Sequence, residues 1–319
     1  MKISVIFTGG TIGSTVDEEY ISLDTDSYRL LHMYRENYGS SDLQFETESP
    51  FSILSENLSP EHALQLVQII KSQAERTYDA IILTHGTDTI QYTASLLEWM
   101  CTDVKIPVFL VSSNLILDDP ESNGLINFHG AIVAARENAA PGVYVSYRNV
   151  GGELCIHRAS MLLPHRIFDE NLYSVRDKVY AVVKNDRLIP MNHDFHELRV
   201  LDRIQMTGES RIPKIAMLTI YPDMGDVFSN MVLSEKTDAV ILTCYHSGTL
   251  PTEQKSFLRF CETAKKKNIP IYLCGIYQQH GYSSTKKFEE LSLIRMPWIS
   301  PISLYTKLVS LCVSDSGKS

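Results

Sequence analysis

Residues 5–15 read "VIFTGGTIGST", an apolar run of strand length set directly against two glycines bracketed by threonines. The pattern predicts a buried strand whose exit brings bare backbone close to something else. A second stretch, "IILTHGTDTIQYTASLLEWM" at 81–100, repeats the arrangement and continues with helical spacing. In parallel α/β sheets ligands gather beyond the carboxyl ends of the strands, where loops run into helix N-termini. The glycine loops at 8–13 and 85–89 are expected at two such ends, and if their strands are neighbours Thr11 and Thr87 face one pocket.

Outward from these loops, strand-length apolar runs recur at 3–7, 79–84, 107–112, 142–147, 214–220, 238–243 and 270–276. Helical spacing fills 59–76, 89–101, 125–137 and 252–267, and the first and last of these open with Ser-Pro-Glu and Pro-Thr-Glu. The alternation predicts an α/β fold with a mainly parallel sheet, and the near-continuous apolarity of the strands predicts cover on both faces. A polar segment at 184–212 breaks the rhythm, so the chain is expected to form domains at 1–190 and 213–319 joined by a linker at 191–212. Linker His193 and His196 stand three residues apart and read as solvated groups; no metal site is expected. "YDAIILTHGT" and "TDAVILTCYHSGT" echo one another, as two similar halves or two independent buried strands would.

The 319 residues are 44% apolar and 21% charged, enough for a sizeable core without staples. A net charge of −9 with scattered acidic groups predicts no nucleic-acid partner. Six separated cysteines without a Cys-x-x-Cys pair read as reduced thiols. No apolar run approaches the length of about eighteen residues that spans a bilayer, and no signal-peptide pattern precedes the first glycine loop. These readings point to the cytoplasm and to no membrane association.

"GGTIGST" lacks the lysine of a P-loop, and its glycines at 9, 10 and 13 do not give Gly-x-Gly-x-x-Gly, so a nucleotide phosphate is disfavoured. The loop fits either a tight strand exit or a cradle of N–H groups for a small anionic or carbonyl ligand. "THGTDT" places a hydroxyl beside an acceptor for an ammonium group. A threonine hydroxyl is inert at neutral pH unless a base or a neighbouring charge eases loss of its proton.

Together, "TGGTIG" at 8–13 and "HGTDT" at 85–89 resemble the two signature motifs of the bacterial-type L-asparaginase/glutaminase family, and the whole chain resembles its shorter cytoplasmic members. The resemblance implies two Rossmann-like domains with mainly parallel sheets, the larger N-terminal, and a homodimer or homotetramer. It implies hydrolysis of the side-chain amide of L-asparagine, or L-glutamine, through an acyl-enzyme on threonine, with no metal or cofactor. Thr11 matches the nucleophile, and Tyr20 in "DEEYIS" the tyrosine that activates it. Ser55 matches the serine that holds the substrate's α-carboxylate, with Glu56 beside it. Thr87 matches the second threonine and Asp88 the partner of the α-ammonium group, while Gly10 and Gly86 belong to the substrate-binding loops.

Two departures from the family pattern matter most. No lysine lies between Lys105 and Lys178, where the family carries one near its second threonine. Met161 stands near that position in "ELCIHRASMLLPHRIF", and His157, Arg158 and His165 are the nearby cationic groups. In the second domain, Ser247-Gly248-Thr249 replaces the family's Gly-x-Gly-Asn loop, and a later glutamate is absent from "WISPISLYTKL". Ser112-Ser113-Asn114 also replaces the usual glycine, alanine and glutamine or methionine before the central helix. An amino-acid-binding protein without turnover is therefore the alternative to an amidohydrolase. An amidase component of a tRNA-amidating assembly ranks below both, because such components carry a further N-terminal domain for which a motif starting at residue 8 is expected to leave no room.

Overall fold

The computed structural model describes residues 1–17, 20–23, 28–39, 41–204, 211–222, 224, 237–277 and 281–314, with backbone alone at 16, 17, 20–23, 203 and 314. The chain divides into two compact units, Met1–Asp194 and Phe195–Ser319. The first is built on β1 (Lys2–Phe7), β4 (Gln44–Glu48), β5 (Ala80–Thr84), β6 (Pro107–Val111), β7 (Gly142–Arg148), β8 (Leu154–Arg158), β9 (Ala181–Lys184) and β10 (Arg187–Pro190). A hairpin of β2 (Ser14–Asp17) and β3 (Tyr20–Leu23) stands apart from them.

The large sheet runs β10-β9-β8-β7-β6-β5-β1-β4. From β4 to β7 the pairs are parallel, and from β7 to β10 antiparallel. Helices α1 (Arg29–Tyr38), α2 (Pro60–Ala74), α3 (Ile90–Met100) and α4 (Gly124–Arg136) cover it. Because successive side chains of a strand point to opposite faces, Ile3, Val5 and Phe7 enter a core with Tyr34 of α1 and Phe128 of α4. Ile6 turns the other way, to Leu66 of α2 and Leu97 of α3. Both faces are therefore dry, which is why these strands carry unbroken apolar runs.

Four of the expected strands and three of the expected helices lie in this unit, displaced at their ends by at most two residues. "KNDRLIP", in the polar segment before the expected linker, forms a hairpin: Asn185 and Asp186, both at positive φ (51° and 54°), close a two-residue turn between β9 and β10. Positive φ at both central positions fits the right-handed twist of paired strands, and Asn and Asp tolerate it better than most residues. Within the expected linker, His196–Arg203 forms a 3-10 segment, while most of "TGESRIP" lies outside the described residues.

The second unit holds β11 (Ile215–Thr219), β12 (Ala239–Thr243), β13 (Ile271–Cys274) and β14 (Leu293–Arg295) in one parallel sheet of that order. Helices Lys255–Lys266 and Pro301–Ser314 belong to it. The sequence echo has a common physical origin in the two units. Asp79 before β5 exchanges hydrogen bonds with Lys2, accepting its N–H at 2.7 Å and donating to its carbonyl at 2.8 Å. Asp238 before β12 does the same with Lys214, at 2.6 and 2.9 Å. Each aspartate fixes the register of a central strand against its neighbour. Ser247-Gly248-Thr249 lies in a tight turn, with Gly248 at φ 71° donating to the Tyr245 carbonyl at 2.7 Å.

No helix among the described residues is long and apolar enough to cross a membrane. Five of the six cysteines are buried and Cys155 is half-buried, and none is disulfide-bonded.

Candidate active site

β1 and β5 are neighbours, so their two glycine loops emerge side by side at the carboxyl edge of the sheet. Leaving β1, the chain turns through Gly9 (φ 94°) and Gly10 (φ 77°), a region of backbone space that L side chains rarely adopt. The Gly10 N–H donates to the Ile53 carbonyl at 3.0 Å, and the Ile53 N–H donates to the Thr8 carbonyl at 3.0 Å. This ladder draws the segment carrying Ser55 onto the first loop. The Gly10 carbonyl accepts from the Gly13 N–H at 2.9 Å and the Ser14 hydroxyl at 2.8 Å, which folds Thr11–Gly13 into a 3-10 turn.

Three segments meet here through bare backbone. A Cβ on Gly10 would lie 2.3 Å from both Cα and N of Gly86, and one on Gly86 would lie 2.4 Å from the Ser55 side chain. Across the junction Thr89 Oγ1 donates to the Ser55 carbonyl at 2.9 Å, and Ser55 Oγ donates to Asp88 Oδ2 at 3.4 Å. Gly10, Gly86, Ser55 and Asp88 are thus brought together. Thr11 and Thr87, each next to one of the glycines, are half-buried; Asp88 is exposed and Ser55 buried. Glu56 is exposed beside Ser55. Tyr20 begins β3, opposite Asp17, and its side chain lies outside the described residues.

Two positioning features have no signature at the residue level. The Thr87 hydroxyl donates to the backbone carbonyl of Ser113 at 2.8 Å, which leaves its oxygen lone pairs as acceptors. That carbonyl is held by a reciprocal pair, in which Asn114 N–H donates to Asn123 Oδ1 and Asn123 N–H to Asn114 Oδ1, each at 2.9 Å. The other feature is His85, which is 2% exposed. Its Nδ1 donates to the Gly86 carbonyl at 2.8 Å, and its Nε2 accepts from Thr93 Oγ1 at 2.8 Å. A neutral imidazole satisfies both contacts, and burial pushes the group down to about 4 against the opposing pull of the Gly86 carbonyl. His85 therefore fixes the turn before Thr87 as an uncharged strut.

Among the cationic groups near Met161, His157 is buried against Ser174 Oγ at 2.9 Å, and burial pushes it down to about 4. The guanidinium of Arg158 is engaged by Glu98, Nε to Oε1 at 2.6 Å, while Glu98 Oε2 accepts the Ser160 N–H at 2.5 Å. Met161 ends the 3-10 turn Ala159–Met161 and is 1% exposed. His165 is near the Thr87–Asp88 loop, and burial lowers its pKa while Asp88 pulls it up. No group of three or more His, Cys, Asp or Glu among the described residues has a metal-holding arrangement.

The two buried imidazoles set an acid limit to stability. Each titrates near 6.5 when solvated and at about 4 in the fold, so the unfolded chain binds more protons between those values. Stability is therefore complete above pH 6.5 and falls as the pH drops to 4, by on the order of 3 kcal/mol per imidazole. Urea melts at pH 7 and pH 4.5 are expected to show this loss, and His157→Asn to reduce it; equal slopes for the two proteins would remove His157 from the account.

A family profile described as "Asparaginase, N-terminal" matches residues 2–162. The L-asparaginase of Thermococcus kodakarensis is 27% identical over 87% of this chain and 81% of its own length. A glutamyl-tRNA(Gln) amidotransferase subunit of Methanococcus vannielii is 25% identical over 97% of this chain and 74% of its own length. In fold, the solved structure of the thermostable L-asparaginase from Thermococcus kodakarensis superposes with a TM-score of 0.76 at 24% identity, covering 97% of this chain and 92% of that one. A probable cytoplasmic L-asparaginase of Campylobacter jejuni does so at 0.71 and 18%, covering 98% and 95%. With its two glycine loops joined at one sheet edge and residues 2–162 matched by that profile, the chain belongs to the asparaginase family.

Proposed function

We propose that this protein hydrolyses the side-chain amide of L-asparagine to L-aspartate and ammonia, with Thr11 as nucleophile. The observation that carries the reading is the backbone junction of Gly10, Gly86 and Ser55 with Asp88 alongside. A free amino acid offers a carboxylate, an ammonium group and an amide carbonyl; Ser55 supplies a donor, Asp88 an acceptor and Thr11 a hydroxyl. Fixing three points holds the carbonyl against the hydroxyl and removes much of the entropic part of the barrier.

In the first step Thr11 Oγ1 bonds to the amide carbon and gives up its proton to the Tyr20 side. The carbon–nitrogen bond then breaks and ammonia leaves with a proton. In the second step water attacks the ester, restoring the threonine hydroxyl and releasing aspartate. Since the Gly10 N–H is already bonded to the Ile53 carbonyl and the Gly13 N–H to the Gly10 carbonyl, Gly10 serves close approach and not oxyanion donation. Glu56 lies at the rim and contributes to side-chain selection, with glutamine as a longer second substrate. A homodimer or homotetramer is the assembly this reading expects.

Ammonia release from asparagine by the purified protein tests the proposal; no release from asparagine or glutamine at saturating concentration overturns it. The buried Met161, where a lysine would stand, favours binding without turnover as the second reading. That reading expects calorimetric binding of aspartate, no ammonia, and gain of activity in Met161→Lys. The relatedness to glutamyl-tRNA(Gln) amidotransferase components makes ammonia delivery to a partner enzyme a third, and it would show as activity that rises severalfold only when a partner protein is added.

A further inference from the structure

We infer that Gln91 is a positioning residue of the amino-acid pocket, whose side-chain amide holds the Asp88 main chain and so aims the Asp88 carboxylate at the ligand's ammonium group. The inference rests on the ammonium role given to Asp88 in the proposed function and adds the residue that sets its direction.

Gln91 lies in the first turn of α3 and is 3% exposed. Its Nε2 reaches back and donates to the Asp88 carbonyl at 3.0 Å. A carbonyl oxygen only accepts, so this contact fixes which way round the amide sits. Oε1 is left buried and without a hydrogen-bond partner among the described residues. A half-satisfied buried amide is a poor means of holding a helix start, because an apolar side chain of the same shape would leave no orphan acceptor. Thr89, at the N-cap position, behaves in the same way. A threonine there ordinarily caps the helix through its hydroxyl, yet Thr89 makes no cap bond and donates instead to the Ser55 carbonyl at 2.9 Å. Two polar side chains at the start of α3 thus serve the loop and not the helix.

With His85 on the Gly86 carbonyl and Thr87 on that of Ser113, each residue from Gly86 to Thr89 is tied by a hydrogen bond between a side chain and the main chain. Asp88 is tied through its carbonyl, while its carboxylate makes the long 3.4 Å contact with Ser55 Oγ. The carboxylate is therefore offered to a ligand, and its direction follows from the main chain that Gln91 holds. Charge-assisted hydrogen bonds depend steeply on distance and angle, so loosening Asp88 weakens ammonium recognition more than it weakens the fold.

Calorimetric titration with L-aspartate and with succinate, which lacks the ammonium group, tests the inference on wild type, Gln91→Met and Gln91→Leu, alongside thermal melts. Both substitutions remove the donor and the orphan acceptor together, so both proteins are expected to melt at or above the wild-type temperature. The Kd for L-aspartate is expected to rise about tenfold, with that for succinate kept within about twofold. KM for asparagine should rise in step while kcat stays within about threefold. In an Asp88→Asn background the same substitutions are expected to add less than about a twofold change, because the two residues act as one. Variants that bind L-aspartate as tightly as wild type, that lose both ligands alike, or that melt well below wild type overturn the inference and leave the function standing. A wild type that binds no aspartate and releases no ammonia overturns both.

Discussion

Replacing Thr11 with alanine is expected to lower kcat for ammonia release from asparagine by about a thousandfold or more, the scale set by loss of a nucleophile in acyl-transfer enzymes. The same change should leave the Kd for L-aspartate within about threefold, because the two charged ends of the ligand are assigned to Ser55 and Asp88, which Thr11 does not hold. Thr11→Ser keeps a hydroxyl on the 3-10 turn and should retain measurable turnover. Thr87→Val separates the second threonine's role from its shape. It keeps the side-chain volume, removes the hydroxyl that donates to the Ser113 carbonyl, and is expected to lower kcat by a hundredfold or more. Asp88→Asn should act chiefly on KM. Single-turnover and steady-state kinetics read these differences directly. If Thr11→Ala turned over at the wild-type rate, the nucleophile would have to be sought on the second loop.

Much of this site is legible before the fold, and the reason is physical. "VIFTGGTIGST" and "IILTHGTDT" combine strands dry on both faces with glycines at positions where any Cβ collides, and both constraints act on residue type. What stays hidden is carried by atoms or positions with no residue-type signature. The Ser113 carbonyl that orients Thr87 is backbone, and any residue would supply it. The Ile53 carbonyl that tethers Gly10 is likewise mute in sequence. β4, "QFETE", is a half-buried edge strand whose polar alternation hides its pairing with β1. α1, "RLLHMYRENY", buries only Leu30, Leu31 and Tyr34, too narrow a stripe to stand out. In sequence His165 is one of several nearby cations, and no residue type tells that His157 is taken up by Ser174 and Arg158 by Glu98.

Gly10→Ala is expected to destabilise the first unit by about 3 kcal/mol or more and to abolish activity, a large effect for one methyl group. Two independent costs combine. At φ 77° and ψ 178° an alanine sits in a backbone region that glycine alone adopts readily, at a cost of roughly 1–3 kcal/mol. Its Cβ would also fall 2.3 Å from Gly86 Cα and N and 2.8 Å from the His85 carbonyl carbon. These are backbone atoms, and they cannot swing aside as a flexible side chain would. His85 is itself locked between the Gly86 carbonyl and Thr93, so relief requires parting the two loops, which separates Thr11 from Thr87 and Asp88. Gly13→Ala is the control within the same turn, because nothing lies within 4 Å of its added Cβ. It is expected to melt within a degree or two of wild type and to keep its kinetics. Thermal melts and ammonia assays on the pair distinguish a junction of two backbones from a merely flexible loop, since flexibility alone would make the two alanines behave alike.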